Sequence, residues 1–186
     1  YVDDGILTVE QADFLRSAVR ERLNIVVAGG TSTGKTTLAN ALLDEIADTG
    51  DRVLILEDTV ELQGRSDDHV GMRSEPGVTT MADLVRATLR LRPDRIVVGE
   101  VRGAEALDLL QAWGTGHPGG IATVHAGSAR GALTRLEQLV QEVSVTVPRA
   151  LIAEAVNVIV FIAGRGHARR VREIVRVIGH DRDGYQ

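Results

Sequence analysis

The run Asn24-Ile-Val-Val-Ala-Gly-Gly-Thr-Ser-Thr-Gly-Lys-Thr36 decides the fold. Its first half is a β-branched apolar strand, stopped by Gly29-Gly30. Its second half, Gly29 to Thr36, reads G-x-x-x-x-G-K-T, and a helix follows with Leu38, Leu42, Leu43 and Ile46 at helical spacing. Strand, glycine-rich turn and helix in that order make a cradle, where backbone N–H groups and a helix N-terminus converge on phosphate oxygens. Gly29, Gly30, Thr31, Ser32, Thr33, Gly34, Lys35, Thr36 and Thr37 are therefore the candidate nucleotide-binding residues. Lys35 would reach the β- and γ-phosphates, and the Thr36 hydroxyl would ligate Mg²⁺. A glycine turn that merely caps a helix is the plainer alternative; the strand before the motif and the helix after it weigh against that. Lys35 is also the only lysine in a chain whose other 20 basic residues are arginine. A GC-rich genome produces such a bias, and against it a solitary ammonium marks a place where a planar guanidinium will not substitute.

Outward from this stretch, short apolar runs alternate with helical periods, the pattern of a mostly parallel α/β sheet flanked by helices. Thr8 and Gln11 form a capping box that opens a helix ending near Leu23. Strands are expected at 52–56, 95–98, 121–124 and 158–162, with a short one near 70–72 in the otherwise aperiodic stretch 57–79. Helices are expected from Thr80 to Arg92, Ala104 to Trp113, Ser128 to Val143 and Pro148 to Val156. A last strand, 169–178, returns as an antiparallel hairpin partner. The chain of 186 residues thus divides into an N-terminal linker and helix (1–23), one sheet-centred domain (24–178) and a tail (179–186).

Composition removes several classes. At 44% hydrophobic and 25% charged the chain is neither disordered nor fibrous. It has no cysteine, so disulfides, iron–sulfur clusters and thiolate zinc sites are excluded. A net charge of −5 and 3% aromatic content supply neither the basic field nor the stacking platforms of a nucleic-acid binder, so no direct nucleic-acid contact is expected. The cluster Arg169, Arg170, Arg172 and Arg176 is the best argument the other way; alternation with Val171, Val175 and Val177 reads it as a charged, solvent-facing edge strand.

Ligands of open parallel sheets sit beyond the carboxyl ends of the strands. The strand at 52–56 runs into Glu57 and Asp58, and that at 95–98 into Gly99 and Glu100. Hydrolysis of a phosphoanhydride needs a carboxylate to orient or deprotonate water and usually another to hold the metal or its waters. Glu57 and Glu100 are the candidates, with Glu100 also a candidate Mg²⁺ ligand. The aspartate usual before such a glutamate is replaced by Gly99, which leaves open whether Glu100 serves the metal, the water or both. Glu61 reads as helix or turn surface. The strand at 121–124 ends in His125, a candidate catalytic γ-phosphate sensor, and His117 in the preceding loop is a weaker candidate.

Four segments in order carry a family resemblance: Gly29 to Thr37, Ile-Leu-Glu-Asp at 55–58, Val-Val-Gly-Glu-Val-Arg at 97–102, and Thr-Gly-His-Pro-Gly-Gly-Ile-Ala-Thr-Val-His-Ala at 115–126. They resemble the Walker A, Asp box, Walker B and His box of the ATPases of type II and type IV secretion systems, the wording being nearest to conjugal-transfer members. The resemblance implies a RecA-like ATPase core that uses ATP and Mg²⁺. It also implies a homohexameric ring, peripheral to the inner membrane on its cytoplasmic face and working with other secretion-system components on pilus assembly or substrate transfer. A separate N-terminal domain of the family covers the nucleotide and is absent from this chain. Arg102 and Arg130, after strand-end motifs, are placed to meet phosphate across an interface. A recombinase or helicase, a small-molecule kinase and a non-hydrolysing subunit are the competing classes. The acidic charge, the lack of a lid in 57–79 and the intact Lys35, Glu57 and Glu100 respectively argue against them.

Overall fold

In the computed structural model, which describes residues 1–182 and 184–186, helices and strands alternate along the chain. The first half runs α1 (Val9–Arg20), β1 (Ile25–Gly29), α2 (Lys35–Ile46), β2 (Val53–Glu57), β3 (His69–Arg73), α3 (Met81–Thr88) and β4 (Arg95–Val98). The second runs α4 (Glu105–Gly114), β5 (Ile121–His125), α5 (Ala129–Gln141), α6 (Arg149–Ala155), β6 (Val158–Ala163) and β7 (Arg170–Arg176), closing with β8 (His180–Asp181) and β9 (Gly184–Tyr185). Seven strands form one sheet in the order β3-β2-β4-β5-β1-β6-β7. All neighbours are parallel except β6 and β7, which form an antiparallel hairpin.

The central strands are buried on both faces, which is why they read as unbroken apolar runs. Ile25 and Val27 pack with Leu38, Leu42, Leu43 and Ile46 of α2 and with α1. Val26 and Ala28 point to the opposite layer, built from α3, α4, α5 and α6. Burying each of those large α2 side chains contributes roughly 1.5–3 kcal/mol, so α2 is fixed against the sheet whether or not a ligand is bound.

At the amino ends of the strands a buried polar network fixes their relative heights. Asn24 donates from Nδ2 to the Ala155 carbonyl at 2.7 Å and accepts at Oδ1 from the Gly119 and Gly120 amides at 2.8 and 2.9 Å. Arg95, 1% exposed, donates to Asp51 at 2.6 Å and to the carbonyls of Val19 and Gly119 at 3.0 and 3.2 Å. A buried guanidinium is tolerable when each donor finds an acceptor, and here the acceptors come from three separate segments.

The helix expected to run from Thr80 to Arg92 stops at Thr88. Thr88 is fully buried and turns its hydroxyl onto the Val85 carbonyl at 2.6 Å; Arg90 and Leu91 then bond three residues back. Arg92 is left-handed, with φ at 52°, which meets the requirement that the residue before Pro93 leave the helical region. The last residues also carry structure that sequence periodicity did not show. β8 and β9 pair antiparallel, and the Tyr185 hydroxyl donates to Glu137 of α5 at 2.9 Å.

Candidate functional site

The phosphate loop lies between β1 and α2 at the carboxyl edge of the sheet. Ser32 has φ at 61°, and Gly34, the residue before α2, has φ at 93°, a conformation glycine adopts without the Cβ penalty. Inside the loop the Thr33 hydroxyl donates to the Gly30 carbonyl at 2.9 Å, and the Lys35 ammonium folds back onto that carbonyl at 3.1 Å. Burial lowers the pKa of Lys35 from its ordinary value. Glu100 and Glu61 pull the other way, while Arg102 adds to the lowering. Thr31 stands opposite His125, its hydroxyl 3.4 Å from the imidazole Nε2, and Gly29 is the register partner of His125.

Beside the loop, a cavity of about 60 Å³ is lined by Thr36, Glu57, Glu61, Gly99, Glu100 and Arg102, together with Asp58 and Thr59. Strand β4 separates Glu57 from β5 in the sheet, and β5 separates β4 from the phosphate-loop strand. The acidic groups therefore face the loop from one side. Glu57 is 6% exposed and accepts at Oε1 from the backbone amides of Glu61 and Leu62, at 2.9 and 2.8 Å. Those bonds curl the segment after β2 so that Glu61 reaches α2, where it accepts the Thr36 hydroxyl at 3.0 Å. Asn40 pins the same turn through the Glu61 carbonyl at 3.1 Å. Glu100 accepts from Arg102 at 2.7 Å and lies 3.9 Å from His125 Nδ1. Arg102 also reaches Asp58 at 3.6 Å, and the Glu100 carboxylate raises its already high pKa.

Gly99 now has a spatial reason. A Cβ at this position would stand 3.1 Å from Glu57 Cγ and 3.4 Å from Glu57 Oε1. The place of the usual aspartate is filled by the neighbouring strand's glutamate. The segment after β4 is held by Gly99 N–H to the Leu56 carbonyl at 2.8 Å and by the Thr123 hydroxyl to the Gly99 carbonyl at 2.7 Å.

The loop residues, Glu57, Glu100 and His125 thus share one edge of the sheet. His117 does not join them: it sits by the amino end of β4, where its Nδ1–H donates to the Pro93 carbonyl at 3.0 Å. Glu61, which reads as turn surface, is exposed in the turn after β2 and also lines the cavity. Its region lacks periodicity, and the one available signal was a second glutamate four residues beyond the strand-end Glu57. Arg169, read as part of an edge strand, precedes β7 and lies on the phosphate loop instead, with Gly34 directly beneath its guanidinium. Arg130, in α5, lines a polar groove with Glu137, Arg149 and Tyr185, away from the cavity.

Oxygen donors from Thr36, Glu61 and Glu100 are the hard ligands Mg²⁺ takes. Among the described residues no three acidic or histidine side chains are grouped to cage a metal. Among the described residues no helix is long and apolar enough to cross a membrane.

The profile of the family described as Type II/IV secretion system protein matches residues 3–165. The conjugal transfer protein TrbB of Rhizobium radiobacter is 50% identical over 188 residues, covering 100% of this chain and 58% of the relative. Among solved structures, the VirB11 ATPase of the Brucella suis type IV secretion system, in complex with sulphate, superimposes with a TM-score of 0.81 at 33% identity. That match covers 95% of this chain and 56% of the other. The pilus retraction motor PilT with bound ADP gives 0.70 at 26% identity, over 88% and 50%. The chain spans a little over half the length of its conjugal-transfer relatives.

Proposed function

This chain belongs to the type II/IV secretion system protein family, and from that premise we propose that it is the ATP-hydrolysing core of a conjugation or type IV secretion motor. The work it powers is pilus assembly or substrate transfer at the inner membrane, in company with other secretion-system components and without direct contact to nucleic acid. The observation that carries the reading is the single cavity onto which Thr36 of the phosphate loop, Glu61 and Glu100 converge.

In the mechanism we infer, nucleotide binding draws the Lys35 ammonium off the Gly30 carbonyl onto the β- and γ-phosphates, and the amides of residues 30–36 close around the β-phosphate. Thr36 and Glu100 are the residues that would hold Mg²⁺, directly or through its waters. When bound, the ion neutralises charge on the phosphate oxygens. Glu61 then parts from the Thr36 hydroxyl and takes the attacking water, as the carboxylate best placed to orient it. Glu57 acts through Glu61, because its Oε1 is engaged by the two amides that shape the turn; it is a positioning residue. His125 spans Thr31 and Glu100 and registers whether a γ-phosphate is present.

We further propose that the full-length protein works as a homohexameric ring on the cytoplasmic side of the membrane, with the family's N-terminal domain covering the nucleotide. The test is equilibrium binding and steady-state turnover of ATP by Glu61→Gln, Glu100→Gln and Glu57→Gln. The first two should keep nucleotide affinity and lose about 10²-fold in turnover. Glu57→Gln, which keeps an acceptor oxygen for both amides, should lose less than about 10-fold. Full turnover in Glu61→Gln would remove it from the reaction. Turnover per chain that does not depend on protein concentration would argue against the ring.

A further inference from the structure

Strand β1 has two neighbours, and they divide the surroundings of the phosphate loop. On the β5 and β4 side stand His125, Glu100 and the acidic cavity, suited to the hydrolysed end of a triphosphate. On the β6 side stands the turn between β6 and β7. It is bent by left-handed Gly164 and Gly166, with φ at 83° and 51°, and it leans over the loop. Arg165 donates to the Thr31 carbonyl at 3.4 Å, and the Arg169 guanidinium covers Gly34 so closely that a Cβ there would lie 2.9 Å from Arg169 Nε.

Arg169 Nε is buried and has no hydrogen-bond acceptor; the Tyr1 hydroxyl is the other buried side-chain atom in that condition among the described residues. The two are neighbours in the electrostatic sense: burial raises the pKa of Tyr1 and the charge on Arg169 opposes the rise. A desolvated donor without an acceptor is unfavourable, and this one also stands beside the N-terminal end of α2, where the helix dipole repels a cation. An anion reaching the loop would reverse both effects.

A nucleotide is an elongated ligand. With its γ-phosphate toward Glu100 and Glu61, its α-phosphate and nucleoside extend toward β6. We propose that Arg169 is a nucleotide-binding residue, donating to the α-phosphate from within the chain that owns the phosphate loop. The proposal rests on the nucleotide-binding reading above and adds a cation at the end of the site opposite the hydrolytic carboxylates.

The experiment measures affinities for fluorescent ATP and ADP analogues and for inorganic tripolyphosphate, with thermal unfolding of the same proteins, in the wild type, Arg169→Ala and Arg169→Lys. Arg169→Ala should weaken ATP and ADP by the same factor, between about 10- and 100-fold, the range of one charge-assisted hydrogen bond. Tripolyphosphate should weaken with them, and Arg169→Lys should recover part of the loss. Without nucleotide the unfolding midpoint of Arg169→Ala should stay level or rise, while the upward shift given by ADP shrinks. Unchanged affinities would overturn the proposal. Loss for ATP alone would move Arg169 to the γ-phosphate, and loss for the nucleotides but not tripolyphosphate would move it to the ribose or base; either result refutes the α-phosphate contact. A wild-type chain whose melting responds to neither nucleotide would instead remove the nucleotide-binding reading itself.

Discussion

Gly99→Asp restores the acid that such a strand usually carries, and on the proposed function it should slow ATP hydrolysis. The new Cβ would start 3.1 Å from Glu57 Cγ and 3.4 Å from its Oε1, so the two carboxylates would come within about 4 Å. At that separation and an effective dielectric constant near 20, two unit charges repel by about 4 kcal/mol. Either one carboxyl takes up a proton or Glu57 swings away. Swinging away releases the amides of Glu61 and Leu62, and with them the turn that presents Glu61 to Thr36. ATP turnover should fall by at least about 10-fold, in line with a displaced water-orienting group, while nucleotide affinity, set by the loop, stays near that of the wild type. Gly99→Ala separates bulk from charge: it needs a shift of a few tenths of an ångström by Glu57 and should cost less than about 1 kcal/mol in stability. The assay is paired binding and turnover measurement for both variants, with urea unfolding as the folding control. Turnover in Gly99→Asp at or above the wild-type rate would show that position 99 offers room for a metal-side carboxylate. It would also show that Glu57 does not govern the site.

Lys35→Ala should abolish tight nucleotide binding, and Lys35→Arg should fail nearly as badly because the buried pocket suits a point charge; normal ATP affinity in the arginine variant, read by titration, would contradict this. Asn24→Leu strips partners from the Ala155 carbonyl and the Gly119 and Gly120 amides. At about 1–3 kcal/mol for each buried orphan it should destabilise the fold by roughly 3–9 kcal/mol in urea titrations. A loss below about 1 kcal/mol would mean that water replaces the amide. For Asp51, burial raises the pKa, but hydrogen bonds from Arg95, Thr49 and Arg22 outweigh it and the net effect is to hold it below its ordinary value of 3.8. Stability from this group is therefore complete above 3.8 and lost as pH falls through the lower folded value. The stability difference between wild type and Asp51→Asn should stay level from neutral pH down to about 5, then shrink in stronger acid. A difference that persists undiminished at pH 2 would refute the depressed value.

What could be read from the sequence was whatever rests on local pattern. The strand, turn and helix around Lys35, and the strand-end positions of Glu57, Glu100 and His125, follow from apolar runs and their stops. Local pattern failed where a long-range bond decides the outcome. Glu61 enters the cavity only because Glu57 gathers two amides behind it, and no periodicity records that. Thr88 ends α3 through a buried hydroxyl in a stretch whose leucines still keep helical spacing. Arg169 shares composition with the strand that follows it, yet the two left-handed glycines of the β6–β7 turn aim it elsewhere. His117 drew attention as a histidine in a glycine-rich loop, but that loop precedes its strand and so lies at the far end of the sheet.

The position of β1 between two distant strands also sets a timetable for assembly. Ile25 pairs with Ile121 on one side and with Val158 on the other. The motif is written by residue 36, but its strand has no sheet partner until residues 121–125, some 90 positions further on, are available. Such separated pairings form slowly, and the β6–β7 hairpin and the β2–β3 pair are the more local strand pairings in the large sheet. On the ribosome the hairpin and β5 must come together with a β1 that has been waiting, its apolar surface exposed, while the intervening residues are made. Nucleotide capture should therefore appear late and all at once in refolding, with the last cooperative step, rather than growing with the first collapse.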